Sequence, residues 1–240
     1  MAETPFLAAT QFSVASVLNR SWQTMWKVPG ISLGLTLTAA VLAAIPEFLL
    51  PGVPLALALG QVADAVMGLI LSGAVAYAVF QELGGRHAGI GEALTRGLTR
   101  FFPLLLASLL TGMGMVLGFM LLLIPGLILM CLWSLVVPAC VLERLGPLSS
   151  LSRSARLTKG YRWPVFGLIL LTVIAGLILY AAAVFMATLL TDNFVAIIAF
   201  SIPPVAILTA FQEVMTTIIY YDLRGVKEGL TLDNLVDVFD

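Results

Sequence analysis

Residues 101–141 read FFPLLLASLLTGMGMVLGFMLLLIPGLILMCLWSLVVPACV and contain no charged side chain. As one α-helix this stretch would extend about 60 Å, which is twice the roughly 30 Å thickness of the hydrocarbon core of a bilayer. One helix therefore does not fit, whereas two antiparallel helices joined by a turn at Pro125-Gly126 do. We predict a transmembrane hairpin here, and the organisation of the rest of the chain follows the same pattern.

The composition of the whole chain agrees with a location in a membrane. Of 240 residues, 60% are hydrophobic and 10% are charged, and the mean hydropathy is +1.07. Soluble domains average about 45–50% apolar and about 25% charged residues. We therefore expect a single polytopic membrane domain over residues 1–240 and no soluble catalytic domain.

Apolar runs of membrane length occur six times along the sequence. Short breaks separate the members of each successive pair, at Pro51 to Pro54, at Pro125-Gly126 and at Thr191 to Asn193. We predict an all-α integral membrane fold with six transmembrane helices arranged as three hairpins. The predicted spans are residues 31–50, 55–80, 101–124, 127–141, 165–190 and 194–221.

The basic residues predict the orientation. All twelve Lys and Arg residues lie outside the three short breaks, and they fall before the first span, after the second, after the fourth and after the sixth. Lys and Arg are retained on the cytoplasmic face of a membrane. We therefore expect both termini in the cytoplasm.

Three of the cytoplasmic segments have apolar residues at helical spacing. Each leads through an aromatic residue and a proline into the next pair of spans. These predicted interfacial helices cover residues 12–27, 89–100 and 147–159. The chain is thus predicted to be a threefold repeat of an amphipathic interfacial helix followed by a transmembrane hairpin.

Two interpretations of these helices remain open. They can simply anchor the spans at the level of the lipid head groups. Alternatively, they form a basic collar that contacts anionic lipid or a partner, with each surface Lys or Arg contributing about 1 kcal/mol. The candidate contact residues for that collar are Arg96, Arg100, Arg153, Arg156, Lys159 and Arg162.

Charged groups within the hydrocarbon region are costly and are candidates for function. Asp64 in the second span shares a stripe with small residues, so we expect it to face the interior of the bundle, and Glu213 lies in the sixth span beside Gln212. In one hypothesis the two carboxylates conduct a proton or cation, with Pro203-Pro204 as a hinge in the sixth span. In the other, both lie near the interfaces and are hydrated or bonded by neighbours such as Gln61 and Gln212.

Motifs for catalysis are missing from the sequence. His87 has no acidic or cysteine partner at ligand spacing, and neither a phosphate-binding GxxxxGKS/T loop nor a GxSxG motif occurs. Cys131 and Cys140 are too far apart in one predicted helix to form a disulfide. We expect no enzyme activity, no metal, no cofactor and no nucleic-acid partner.

The order and spacing of several short motifs resemble known prokaryotic membrane families. The chain is similar to the membrane domain of glycerophosphoryl diester phosphodiesterases and to YciC-like inner-membrane proteins. The resemblance implies a six-span domain without catalytic residues of its own, in the cytoplasmic (inner) membrane of a prokaryote. The motifs are Leu123-Ile124-Pro125-Gly126, Pro138, Glu143-Arg144-Leu145-Gly146, Ser152-Arg153-Ser154, Leu157-Thr158-Lys159-Gly160, Tyr220-Tyr221-Asp222-Leu223-Arg224 and Glu228-Gly229.

These observations lead to two functional hypotheses. The first is a non-enzymatic scaffold or accessory protein that engages membrane lipids, an amphiphile, or a membrane or cytoplasmic protein partner. The alternative is a transporter or channel for a small solute or lipid-derived molecule, which would use the interior of the bundle. A homo-oligomer is a further expectation, and the acidic tail with Asp233, Asp237 and Asp240 is read either as a docking helix or as a frayed end.

Overall fold

The computed structural model describes residues 12–50 and 52–228, so the acidic tail lies outside the described residues. All regular elements within these ranges are helices. Six helical segments are long and apolar enough to cross a membrane, which indicates a multi-pass membrane protein. They are Gly30–Leu49, Pro54–Leu83, Phe101–Leu121, Leu123–Leu142, Arg162–Leu190 and Ala196–Glu228.

The helices follow one another with short connections. A π-helical turn at Gly30–Gly34 leads into α2, and the fourth membrane segment consists of two helices, α6 and α7. The bounds are α1 Val14–Lys27, α2 Leu35–Leu49, α3 Pro54–Leu83, α4 Ile90–Thr99, α5 Phe101–Leu121, α6 Leu123–Leu132, α7 Val136–Leu142, α8 Pro147–Thr158, α9 Arg162–Leu190 and α10 Phe194–Glu228.

The turn between α5 and α6 lies earlier than the sequence predicted. Leu122, in an extended conformation, separates the two helices, and Pro125-Gly126 lies inside α6. Pro125 is tolerated there because the first turn of a helix has no internal partner for its N–H groups. A Cβ atom on Gly118 would lie 3.1 Å from the Cα atom of Gly126, so the glycines allow α5 and α6 to approach closely.

The fourth membrane segment is interrupted between α6 and α7, which the sequence did not predict. A serine from α8 satisfies the backbone groups that this break exposes. The Ser154 hydroxyl donates to the carbonyl oxygen of Leu132 at 2.6 Å and accepts from the N–H of Leu135 at 3.1 Å. Unpaired backbone groups are costly in apolar surroundings. The break therefore depends on the docking of α8.

Helix α10 extends about 50 Å, longer than the hydrocarbon core of a bilayer. It continues as one helix through Pro203 and Pro204, and a hinge at these prolines stays a prediction. Its C-terminal part, from Val214 to Arg224, is largely buried. The main apolar cluster surrounds this part of α10 and includes residues of α1, α3 and α7. The packed core thus lies at the end of the bundle where the short helices are found.

The short helices bury one face against the bundle and expose large apolar side chains on another. In α8 the buried residues are Ser150, Ser154, Leu157 and Thr158, whereas Leu148 is 72% exposed. Helices α1 and α4 also expose large apolar side chains, namely Trp22 and Trp26 of α1 and Leu98 of α4. Each short helix therefore presents large apolar side chains away from the protein core.

Gly97 lies at a close approach between the backbones of α4 and α3. A Cβ atom on Gly97 would lie 2.2 Å from the carbonyl oxygen of Ile70 and 3.2 Å from the backbone nitrogen of Ala74. Such a distance to backbone atoms is relieved only by moving one helix away from the other.

We predict that Gly97→Ala destabilises the chain by about 1–3 kcal/mol, because overpacking outweighs the better helix propensity of alanine. The matched control is Gly91→Ala in the same helix, where a Cβ atom meets nothing within 4 Å. Thermal unfolding in detergent measures both. Equal melting temperatures for the two variants would contradict the close packing of α4 on α3.

Candidate functional site

Helix α10 ends in a set of charged side chains that connects distant parts of the chain. Arg20 of α1 forms an ion pair with Asp222 of α10, and both residues are buried. The guanidinium carbon of Arg20 also lies 5.8 Å from the centre of the Tyr221 ring. Removing either member would leave a buried charge behind, so the pair holds α1 against α10.

A second group of charged side chains lies on the α8 side of α10. Glu143 accepts hydrogen bonds from Nε of Arg153, at 2.8 and 2.9 Å, and from the Tyr220 hydroxyl. Glu228 pairs with Arg153 and accepts from Nε of Arg224 at 2.9 Å. We refer to Arg20, Glu143, Arg153, Tyr220, Asp222, Arg224 and Glu228 together as the α10 polar network.

The network stabilises the charged form of Arg153 and continues to the end of α8. Burial lowers the pKa of Arg153, but the hydrogen bonds to Glu143 and Glu228 outweigh burial, so the net change is a raised pKa. The Lys227 ammonium group donates to the carbonyl oxygens of Arg156 and Lys159 at the C-terminus of α8. A cation at this position satisfies carbonyl groups that have no partner within the helix.

Arg153 was a candidate contact residue of the basic collar, but in the structure its side chain is turned toward carboxylates of the protein. Its side chain is only 15% exposed, and its guanidinium group is bound by Glu143 and Glu228. The local spacing places Arg153 on the same side of α8 as its basic neighbours, but Glu143 precedes α8 and draws the side chain inward. Pairing with a carboxylate in a separate segment is not visible in a helical periodicity.

The other basic candidates differ in their surroundings. Arg156, Lys159 and Arg162 are exposed and form no ion pair within residues 12–50 and 52–228. Trp163, adjacent in sequence, is 82% exposed. We refer to Arg156, Lys159, Arg162 and Trp163 as the basic patch.

Arg96 and Arg100 lie elsewhere, on α4 and at its end, and both are partly buried. The guanidinium carbon of Arg96 lies 5.3 Å from the centre of the Tyr77 ring. The Tyr77 hydroxyl in turn donates to the carboxylate of Glu92 and accepts from Nε2 of Gln81 at 2.8 Å. Arg96 therefore contributes to the contact between α3 and α4.

A polar cavity of about 260 Å³ lies between α10 and the break in the fourth membrane segment. Glu213 and its neighbour Gln212 line this cavity, and the hydroxyl of Ser72 in α3 lies beside the Glu213 carboxylate. The other lining residues are Ser134, Val137, Thr209 and Thr216. Of the intramembrane candidates, Glu213 and Gln212 therefore line this cavity together.

Asp64 does not face the interior of the bundle, so that expectation is wrong. Its side chain is exposed, as is that of Gln61, and neither residue lines the cavity. One small residue of the stripe, Gly60, does pack closely against a neighbouring helix. A Cβ atom on Gly60 would lie 2.8 Å from the carbonyl oxygen of Ala43 in α2. Asp64 and Ser72 are two turns apart on α3, or about 12 Å, so Asp64 and Glu213 lie at different depths.

The sequence reasoning missed several residues of the network. Glu143, Tyr220 and Asp222 occur in the motifs quoted for the family resemblance, but no role was assigned to them. Arg20 is one of the twelve basic residues that predict the orientation, and its sequence surroundings indicate no other role. Glu47, within the first membrane segment, was overlooked, although it is 6% exposed and its carboxylate accepts from the N–H of Gly52 at 3.1 Å.

The part of the chain that the structure describes contains the two cysteines and other potential metal ligands. Among them no group of three or more His, Cys, Asp or Glu side chains could hold a metal ion. Cys131 and Cys140 are buried free thiols.

We predict that Asp222→Asn destabilises the chain by about 3–5 kcal/mol, because Arg20 stays buried without its countercharge. The control is Asp192→Asn, which removes an exposed carboxylate and changes stability by less than about 0.5 kcal/mol. Unfolding in detergent, followed by circular dichroism, measures both variants. A melting temperature of Asp222→Asn equal to that of the wild type would show that the ion pair does not hold α1.

Comparison with known proteins identifies a family without a described activity. No curated protein matches the chain, and no solved structure matches it. The match to a family model shows no link to the glycerophosphoryl diester phosphodiesterase or YciC-like families. That model covers residues 75–221, more than half of the chain, and is described as Domain of unknown function (DUF7847), so the chain belongs to this family.

Proposed function

We propose that this chain is a non-enzymatic membrane scaffold or accessory protein that binds anionic lipid head groups through the basic patch. The observation that carries the proposal is the exposure of Arg156, Lys159 and Arg162 beside the exposed ring of Trp163. Tryptophan is enriched at the membrane interface, and basic side chains there attract anionic lipids.

The proposal includes an arrangement in the membrane. Three transmembrane hairpins cross the bilayer, and α1, α4 and α8 lie as interfacial helices on the cytoplasmic side. Their exposed apolar residues, among them Trp22, Leu98 and Leu148, support this arrangement because such side chains are stable in the head-group region of a bilayer. The termini are then cytoplasmic, and the membrane is the inner membrane of a prokaryote.

Two of the sequence motifs support the position of the basic patch in this proposal. The motifs at residues 143–146 and 220–224 supply Glu143, Tyr220, Asp222 and Arg224 to the α10 polar network. These residues hold α8 and α10 together and so position the basic patch. A protein partner or a second copy of the chain would bind to the same cytoplasmic face.

The test replaces the three basic side chains of the patch together, as Arg156→Gln/Lys159→Gln/Arg162→Gln. At about 1 kcal/mol per charge, the relative affinity for anionic lipid falls by about two orders of magnitude. Energy transfer from tryptophan to pyrene-labelled phosphatidylglycerol in phosphatidylcholine proteoliposomes measures this affinity.

The matched control exchanges the same residues with retention of charge, as Arg156→Lys/Lys159→Arg/Arg162→Lys, and keeps the wild-type affinity. Pyrene-labelled phosphatidylcholine reports contact with neutral lipid and is unaffected by either variant. Undiminished transfer to phosphatidylglycerol in the neutralised variant would refute lipid binding at the basic patch.

The cavity beside Glu213 favours a second candidate, a transporter or channel for a small solute. Transport requires a polar path across the membrane, whereas a scaffold needs none. If Glu213 conducts a proton or cation, Glu213→Gln abolishes voltage-driven proton influx into proteoliposomes containing a pH-sensitive dye. Flux equal to that of the wild type in Glu213→Gln/Asp64→Asn would exclude a role for these carboxylates.

A further inference from the structure

The hydroxyl groups that line the cavity beside Glu213 can accept hydrogen bonds from a ligand but have no proton left to donate to it. The hydroxyl groups of Ser134, Thr209 and Thr216 each donate to a carbonyl oxygen of the preceding turn, at 3.0, 3.0 and 2.8 Å. A hydroxyl has one proton to donate and two lone pairs. With the protons used on the backbone, these side chains offer only acceptors to a molecule in the cavity.

Glu213 adds a carboxylate to these acceptors, and Gln212 adds an amide group that can both accept and donate. Within the described parts of the chain it forms no ion pair, and the nearest arginine on its own helix, Arg224, lies about 16 Å away along α10 and binds Glu228. A carboxylate in a membrane segment is costly when it has no positive partner. The cavity therefore favours a ligand that brings a positive charge and hydrogen-bond donors.

The size and position of the cavity restrict the ligand further. A water molecule occupies about 30 Å³, so a cavity of about 260 Å³ has room for an amino group with several carbon atoms. Thr209 and Gln212 are exposed, so the cavity opens at the side of the bundle, and Val205 is exposed one turn along α10 from Thr209. An apolar chain extending from the cavity would lie against α10 in the lipid.

We propose that this cavity binds the primary ammonium head group of an amphiphile, with its charge on the Glu213 carboxylate. An ammonium group has three N–H donors and no acceptor. One donor bonds to Glu213, and the others bond to the hydroxyl oxygens of Thr209, Thr216 or Ser134. This site is separate from the basic patch, which recognises the opposite charge, and it does not depend on the proposed function.

The test uses n-octylamine as the probe and n-octanol as the uncharged analogue of equal chain length. Isothermal titration calorimetry measures both with the full chain in phosphatidylcholine nanodiscs, and empty nanodiscs correct for partition into lipid. The wild type is expected to bind octylamine about tenfold more tightly than octanol. Glu213→Gln is expected to lose this preference, because a hydrogen bond to a charged group contributes about tenfold or more to affinity.

The matched control is Asp64→Asn, which removes an exposed carboxylate from another membrane segment and is expected to leave the preference unchanged. A preference retained in Glu213→Gln would overturn the proposal, as would wild-type binding of octanol as tight as that of octylamine. An equal loss in Asp64→Asn would also overturn it, because the amine would then respond only to surface charge.

If Glu213→Gln does not fold, Thr209→Val and Thr216→Val provide the test, because each removes a hydroxyl oxygen at nearly constant volume. Each is expected to weaken octylamine binding by at least threefold and to leave octanol binding unchanged. Unchanged octylamine binding in both variants would overturn the assignment of the ammonium site.

Discussion

The structure depends on the pairing of charges that are buried where α10 leaves the apolar core. An unpaired buried charge costs several kcal/mol, so Arg20 and Asp222 stabilise the fold only together. The pair joins α1 to the last helix across about two hundred residues of sequence. Glu143 and Glu228 extend the same principle to Arg153 and Arg224, and so connect the short helix α8 with α10.

Buried polar groups also need partners at the break between α6 and α7 and in the cavity beside Glu213. The break between α6 and α7 is stable because Ser154 supplies both a donor and an acceptor to the interrupted backbone. The cavity beside it differs, since its hydroxyl groups are satisfied while Glu213 has no cation partner among the described residues. The protein itself thus satisfies the backbone groups at the break, whereas the cavity remains a polar space within a membrane segment.

The sequence was sufficient for the helical class and for the positions of the membrane segments, because long apolar runs are a local property. It was less informative about helix ends, as the turn at Leu122 shows, since Pro125 is compatible with both a turn and a first helical turn. The sequence contained no signal for which charged side chains form ion pairs. Arg153 differs from Arg156 only in having Glu143 and Glu228 nearby in space, and the exposure of Asp64 depends on how the neighbouring helices pack. Such contacts join segments far apart in the chain and leave no periodic signal.

The proposed arrangement places the α10 polar network and the basic patch at the cytoplasmic surface of the membrane. Cysteine accessibility tests it most directly, in a chain whose Cys131 and Cys140 are replaced by alanine. Single substitutions Val53→Cys and Asp192→Cys mark one end of the bundle, and Gly89→Cys and Gly146→Cys mark the other, all at exposed positions. We expect a membrane-impermeant maleimide to label positions 53 and 192 in intact cells, and positions 89 and 146 only after permeabilisation. Labelling of positions 89 and 146 in intact cells would contradict it.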